Sequence, residues 1–433
     1  MSYMKINVTK QKQEQMVRDV FRLFAGRKPT PAESQKFVQA GTSRDAVKAY
    51  ALAQVVKKEP EWAGAPPGVH WSSPWGLAGN GLCTVCRRQA VALAGAGVAV
   101  RLLPSAAWGG PDARTKKEVE HLLQTHVSPH VRISGFVLDG RIDLRVRGVT
   151  RPNQIVTGML ERDRISASAA QAANQIAQWW LPCPANIEAF ARSGVDPQRL
   201  KLVPVPFLPD DPVLGLTGRT REPGPPRFYH VGTIGDRKGQ ARWFLNFLRA
   251  FRPGQAQLVI KTTYSDPGSP GLQQFRTMHL TDERVVANGW TKDNISQPHV
   301  DLVHAVWPEE KITALHRWGD VYLSLARGEG WDMPAFAAIL AGNLLVYTPS
   351  GGPQSFACES DLQVSQTGWE KCNPVYGWEK DAQWITYDDE HCVDQLRVAA
   401  DNLPDKKHRR DFTPYTVKTV GNLMRSYLEP LLT

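Results

Sequence analysis

The apolar positions change their period at about residue 60. Before it they recur at helical spacing: Met16, Val17, Val20, Phe21 and Phe24 fall on one face and stop at Gly26. Thr30-Pro31-Ala32-Glu33 has the form of a capping box with proline at the first helical position, and Ser43 is placed to cap a third helix carrying Val47, Tyr50, Ala51 and Val55. Residues 60–75, rich in Pro, Gly and Trp, read as a linker or a first strand. A glycine turn, Gly76-Leu77-Ala78-Gly79-Asn80-Gly81, then opens an apolar-periodic helix running to Ala94, followed by a short strand from Val98 to Leu103.

A second hinge spans Phe207 to Arg227, and strands and helices alternate beyond it. The pattern predicts strands at Arg227–Gly232, Gln257–Thr263, Val285–Gly289, Asp301–Val306, Val321–Leu325 and Leu344–Tyr347, and helices at Gly239–Phe251, Pro308–Trp318 and Met333–Ala341. Short connections between such elements give an α/β fold with a doubly wound parallel sheet, whose ligands bind at the carboxyl ends of the strands. At the carboxyl terminus Val417, Val420, Leu423, Met424, Tyr427, Leu428, Leu431 and Leu432 line one helix face, which the first α/β domain is expected to cover. The organisation expected is a basic helical module at 1–60, a Rossmann-like domain at 61–206 completed by a helix at 413–433, and a second Rossmann-like domain at 227–412.

Composition narrows the class. With 433 residues, 42% hydrophobic and 22% charged, the chain has enough apolar surface for two cores, and disordered, collagen-like and disulfide-scaffold classes are excluded. The apolar stretch from Met333 to Tyr347 is broken by Pro334, Gly342 and Asn343, so no run reaches the ~20 residues of a membrane span. The polar amino terminus lacks an apolar secretory region, and a cytoplasmic location is expected. Six scattered cysteines form no disulfide framework; Cys83 and Cys86 are a lone CxxC, read as two small buried residues at a helix start. The net charge is +10, and residues 1–60 hold twelve Lys and Arg against five Asp and Glu. Such a module favours an anionic partner, nucleic acid or a membrane surface, or is simply a solvated helical surface.

Chemistry concentrates at two strand ends. Arg327-Gly328-Glu329-Gly330-Trp331-Asp332-Met333-Pro334 leaves an apolar strand and opens a helix, which lets one carboxylate, Glu329, grip a polar ligand. Val231-Gly232-Thr233-Ile234-Gly235-Asp236-Arg237-Lys238-Gly239 makes the same passage with two adjacent cations, suited to neutralising a diphosphate leaving group. No Asp-x-Asp and no HExxH occurs, so no bound metal and no resident cofactor is expected. His126, His130 and His230 read as structural, and Trp71, Trp179 and Trp180 as packing residues.

At these residues the chain resembles the retaining glycosyltransferases of family 4, which have the two-domain GT-B fold, over about residues 70–433. GLAGNG is similar to the family's first glycine loop, LPCPANIEAFARSGV to a wall of its first domain, and KLVPVPF to the strand entering the hinge. VGTIGDRKG resembles its phosphate-binding turn, and SLARGEGWDMPAFAAILAGNLLVYTPSGG its donor signature, including Gly351-Gly352. The resemblance implies two Rossmann-like domains facing across a cleft and transfer of a sugar, with retention, from a nucleotide diphosphate sugar to an acceptor hydroxyl. It implies that Gly79, Gly81, Arg237 and Lys238 hold the donor, that Glu329 contacts its sugar or phosphate, and that amides near Met333 and Pro334 cap it. Glu161, in Thr157-Gly158-Met159-Leu160-Glu161, is the matching acidic residue of the first domain, placed either to stabilise charge at the sugar ring or to position the acceptor; it reads equally as an exposed helix-start carboxylate paired with Arg162 or Arg164. Two positions depart from the family: Ala337 stands where a second Glu grips the ribose, and Thr233 where an Arg often follows the strand glycine.

Three functions fit: synthesis of a surface glycan or glycoconjugate, peripheral to the inner membrane face; glycosylation of a hydroxyl-bearing modified base in DNA; or non-catalytic binding on a decayed scaffold.

Overall fold

The computed structural model describes residues 13–15, 17–18, 28–39, 65–73, 81–104, 113–137, 154–262, 275, 278–296, 298–372, 381–403 and 410–432. The glycine turn through Asn80 and the helix expected from Ser43 lie outside them. In the amino-terminal module the helix Pro31–Gln39 is closed by the expected box: the Thr30 amide donates to Glu33 Oε2 at 2.8 Å and the Glu33 amide to Thr30 Oγ1 at 3.3 Å.

Two six-stranded parallel sheets follow. The first contains β1 (Pro67–Ser73), β2 (Val100–Pro104), β3 (Ser128–Val137), β4 (Gln154–Met159), β5 (Gln178–Leu181) and β6 (Leu200–Leu202), in the order β2-β1-β3-β4-β5-β6. The second contains β7 (Arg227–Val231), β8 (Gln257–Thr262), β9 (Val300–His304), β10 (Val321–Ser324), β11 (Leu344–Tyr347) and β12 (Leu362–Gln363), in the order β12-β11-β10-β7-β8-β9. Each sheet is buried on both faces, as parallel strands require, because crossover helices cover them. Val69, Leu102, Ile133 and Ile155 pack with the helix Gly81–Gly95, and Val156, Trp179 and Leu181 pack with Phe190 on the other face. Trp71 and Trp180 meet edge to face at 6.1 Å within this core, and Trp179 packs against Phe190 in a tilted arrangement at 5.0 Å, so these tryptophans are packing residues.

The carboxyl-terminal helix Val417–Leu432 returns to the first sheet, where Val420, Met424 and Leu428 join its core. Its closest approach is at Gly421, where a Cβ would lie 2.1 Å from the Ala92 carbonyl oxygen. The connection between the sheets is tied on both sides. Arg88 Nη2 meets Asp211 Oδ1 at 2.7 Å, and Thr217 donates to the Leu340 carbonyl at 3.0 Å.

One predicted strand is corrected. Residues 283–287 are a helix (Glu283–Ala287), because Asp282 caps it through the Val285 amide at 3.2 Å and is held by Arg249 at 2.5 Å. The apolar pair Val285-Val286 carries too short a signal to separate the two conformations. A feature absent from the sequence reading is the antiparallel hairpin β13 (Gln366–Lys371) and β14 (Gln383–Tyr387), which belongs to neither large sheet.

Candidate active site

In the second sheet β10 pairs with β7 on one side while β8 and β9 continue on the other, so the strand order reverses between β7 and β10. Ligands of doubly wound sheets bind outside the carboxyl ends of strands at such a point. The segments following β7 and β10 are the two expected to carry chemistry, and topology brings them together. Arg237 donates to Glu329 Oε1 at 2.9 Å and to the Gly328 carbonyl at 2.7 Å; Lys238 Nζ lies 2.5 Å from the same carboxylate oxygen. Glu329 is 4% exposed, and its amide donates to the Ser350 carbonyl at 2.8 Å.

The first sheet contributes Glu161, just past the end of β4, with its Oε1 3.0 Å from Arg237 Nη2. The helix-start reading of Glu161 is thereby overturned: Arg164 pairs with Asp163, Arg162 Nε donates to the Arg164 carbonyl, and the Glu161 carboxylate faces the other sheet. Arg237 therefore bridges a carboxylate from each half. Burial opposes its charge, but Glu161 and Glu329 outweigh burial and hold the guanidinium more firmly protonated than usual. Lys238 is also held protonated, Asp332 and Glu329 overcoming burial. Burial pushes the Glu161 carboxyl upward against the pull of Arg237, with repulsion from Glu329 adding to the rise.

Glycines let the two halves touch. A Cβ on Gly328 would lie 2.2 Å from the Glu161 carbonyl oxygen, and one on Gly330 would lie 2.3 Å from Met159 Cβ. On the far side Gly351, at φ 128°, packs against the Glu329 carbonyl, where a Cβ would come within 1.9 Å. Gly328, Gly330 and Gly351 thus serve close backbone approach.

The helix Met333–Leu340 begins beside this cluster. Pro334 has no N–H, so the expectation that it caps a ligand is corrected; it starts the helix by its fixed φ. The Ala335 amide is taken by Asp332, at 3.4 Å, which leaves Met333 as the amide at this end that the cap does not use. Gly81 opens the helix Gly81–Gly95 with its missing Cβ 3.7 Å from Met333 Cγ, so this glycine and the helix Met333–Leu340 are adjacent, while Gly79 lies outside the described residues. Ala337 is half-buried on this helix, and Thr233 accepts at its carbonyl from Gln240 Nε2 at 2.7 Å.

Several site residues escaped sequence reasoning. Asp332 holds φ 62°, accepts from Ser324 Oγ at 2.5 Å and supports the charge of Lys238; its signal was an acidic N-cap before Met-Pro. Asn186 clamps the residue before Glu161, exchanging two 2.9 Å bonds with the Leu160 amide and carbonyl. The hairpin reaches across as well: Trp384 Nε1 donates to the Glu161 carbonyl at 3.0 Å and the Gln383 amide to Asp163 Oδ1 at 2.6 Å. Neither partner is suggested by spacing, since both lie more than 200 positions away in sequence.

His126 and His130 are exposed, away from these contacts, whereas His230 is buried at the end of β7. Its Nδ1–H donates to the Leu323 carbonyl at 2.8 Å and Nε2 accepts from Gln240, the residue that also closes the cation turn. Both contacts suit a neutral ring, and burial, helped by Lys238, lowers its pKa to about 4. The unfolded chain binds this proton near pH 6.5, so stability falls as pH drops from about 6.5 to about 4, by roughly 3 kcal/mol at the lower end. Urea unfolding across this range should show that slope, reduced in His230→Phe; equal slopes in both proteins would contradict the burial of a neutral ring.

Cys83 and Cys86 lie buried in the first turns of their helix, and burial lifts the Cys86 thiol to about 12. Among the described residues no group of three or more His, Cys, Asp or Glu is placed to hold a metal ion, and no helix is long and apolar enough to cross a membrane.

No family model matches the chain, and no curated protein matches it. Solved structures do. Sucrose-phosphate synthase from Thermosynechococcus elongatus superposes with a TM-score of 0.51 at 13% identity, covering 84% of this chain and 95% of that one. HepE of Anabaena, solved with UDP and glucose, gives 0.47 at 12% identity over 84% and 95%. A UDP-forming α,α-trehalose-phosphate synthase from Burkholderia xenovorans, solved with glucose-6-phosphate, gives 0.49 at 14% identity over 74% and 76%. Two parallel six-stranded sheets meeting at their strand ends, together with the first of these likenesses, define the GT-B fold of glycosyltransferases.

Proposed function

We propose that the chain is a nucleotide-sugar-dependent retaining glycosyltransferase of family 4 character, a hexosyltransferase that acts without a resident cofactor. The observation that carries this reading is the meeting of Arg237, Lys238 and Glu329 at the switch point of the second sheet, with Glu161 opposite them. The fold shared with a sugar-transferring synthase supports the class.

As the bond from the anomeric carbon to the phosphate breaks, negative charge builds on the departing nucleoside diphosphate and positive charge on the sugar ring. Arg237, Lys238 and the Met333 amide neutralise the first, where burial of these side chains strengthens their pull on the phosphate. Glu329 holds the sugar, and Glu161 stabilises the ring charge or orients the acceptor hydroxyl. Donor entry requires the two cations to exchange part of their hold on Glu329 and Glu161 for phosphate oxygens. The acceptor, a glycan or glycoconjugate, approaches through the cavity between Arg162, Asn186 and Arg192 on one side and Arg327, Ser350 and the half-exposed Trp369 on the other. The amino-terminal segment, with its excess of Lys and Arg, would bring the enzyme to an anionic membrane surface.

Thermal unfolding against UDP, GDP, ADP, CMP and dTDP sugars tests the reading. One of them at ~100 times its dissociation constant should stabilise by ~2.7 kcal/mol, and Lys238→Met should abolish the effect. Stabilisation by none overturns the donor site. For the ligand that binds, the anomeric configuration of the product decides retention.

A further inference from the structure

The hairpin β13–β14 has two faces. Trp369 stands opposite Ile385 and Glu370 opposite Trp384, so alternation puts Trp369, Ile385 and Gln383 on one face and Glu370 and Trp384 on the other. The second face is occupied by Arg327, whose guanidinium lies 5.1 Å from the centre of the Trp384 ring and 2.7 Å from Glu370. The first face lines the cavity between the halves, where Ile385 is buried and Trp369 is 47% exposed. Among the described residues no other ring packs on Trp369, which leaves a flat apolar surface open to a ligand.

The first half supplies the facing wall. Ala185 and Arg192, two turns apart on one face of the helix Pro184–Arg192, line the cavity together with Arg162. The charged groups of the lining are Arg162, Arg192 and Arg327 against Asp163. Asp163 is engaged by Arg164 at 2.7 Å and by the Gln383 amide at 2.6 Å, and Arg327 is engaged by Glu370. Arg192 has no hydrogen-bond or ion-pair partner among the described residues. The cavity is therefore positive, with an unengaged guanidinium and an unstacked indole in the same lining. Gly328 and Gly351 also line it, and they are the glycines packed on the Glu161 and Glu329 carbonyls, so the cavity abuts the carboxylate cluster.

We propose that this cavity is an acceptor subsite for an anionic sugar unit, one that carries a carboxylate or a phosphate, with its ring on Trp369 and its charge on Arg192. The inference rests on the glycosyltransferase reading above and deepens it by naming the acceptor class. A pyranose has a face of C–H groups, and packing that face on an indole takes apolar surface of both out of water. The guanidinium fork matches two oxygens of a carboxylate or phosphate. A neutral sugar gains only the first contact, so the second sets the selectivity.

Saturation-transfer NMR titration of the full chain with glucuronate, glucose 6-phosphate and glucose, each with and without saturating UDP, tests this. Inorganic phosphate serves as competitor, and the two charged sugars separate the carboxylate source from the phosphate source. At least one of them should bind roughly 10-fold more tightly than glucose, and Arg192→Gln should remove that advantage while Arg192→Lys keeps part of it. Trp369→Ala should weaken charged and neutral sugars alike, by roughly 2- to 10-fold. Both side chains are exposed, so these variants should fold as the parent does. Lys238→Met should still bind the charged sugar, which separates this subsite from the donor cations. Equal affinity for glucose and the charged sugars would overturn the proposal, as would parental affinity in Arg192→Gln or Trp369→Ala. Displacement by inorganic phosphate at the affinity of the sugar itself would also overturn it, by showing a bare anion site. Binding of UDP, GDP or ADP with neither charged sugar bound would overturn the subsite and leave the donor site standing. A charged sugar bound by a chain that takes none of these nucleotides would overturn the donor site and leave the subsite.

Discussion

Glu329→Ala is expected to remove sugar transfer and a large part of the stability together. The substitution leaves Arg237 and Lys238 buried without the carboxylate they share, and breaking a buried ion pair from one side typically costs about 3–5 kcal/mol. Loss of the group proposed to hold the transferring sugar should lower kcat/KM by roughly 10²- to 10³-fold. Glu329→Gln separates the two effects, because the amide keeps an oxygen for Arg237 and Lys238 while losing the charge: turnover should remain low as the unfolding free energy partly recovers. A Glu329→Gln protein with parental turnover would remove Glu329 from the mechanism, whatever its role in packing.

Gly328→Ala should abolish the proposed sugar transfer through geometry alone. Its Cβ would lie 2.2 Å from the Glu161 carbonyl oxygen and 2.9 Å from Trp384 Cδ1. Neither can step aside freely, since Trp384 Nε1 is bonded to that carbonyl and Asn186 pins Leu160 beside it. Overpacking of this kind costs about 1–3 kcal/mol, so the protein should still fold. The strain is relieved by parting the halves, which lengthens the 3.0 Å contact between Arg237 and Glu161. A displacement near 1 Å costs about 10²-fold in rate, a loss far larger than the change in stability implies. Parental turnover in a folded Gly328→Ala protein would show that transfer does not require the halves to meet at this glycine.

Local patterns carried most of the architecture. Apolar runs of four to six residues bounded by glycine turns placed β7, β10 and β11 to within a residue, because a strand buried on both faces leaves a continuous apolar signature. The Thr30–Glu33 box was legible because both ends of each contact lie within one turn. Arg237, Lys238 and Glu329 were visible as residue types at strand ends, positions where a doubly wound sheet binds ligands whatever else the chain does.

Tertiary structure decided the rest, for reasons of distance and register. Glu161 could be named but not partnered: only the facing of two sheets sets it against Arg237 rather than its neighbours Arg162 and Arg164. Val285-Val286 became helix because an aspartate was fixed by Arg249 from another helix. The hairpin and Asn186 hold Glu161 through backbone contacts that no spacing encodes. Sequence determined which chemical groups end each strand; the packing of one half on the other determined which of them pair, as Arg237 does with Glu161.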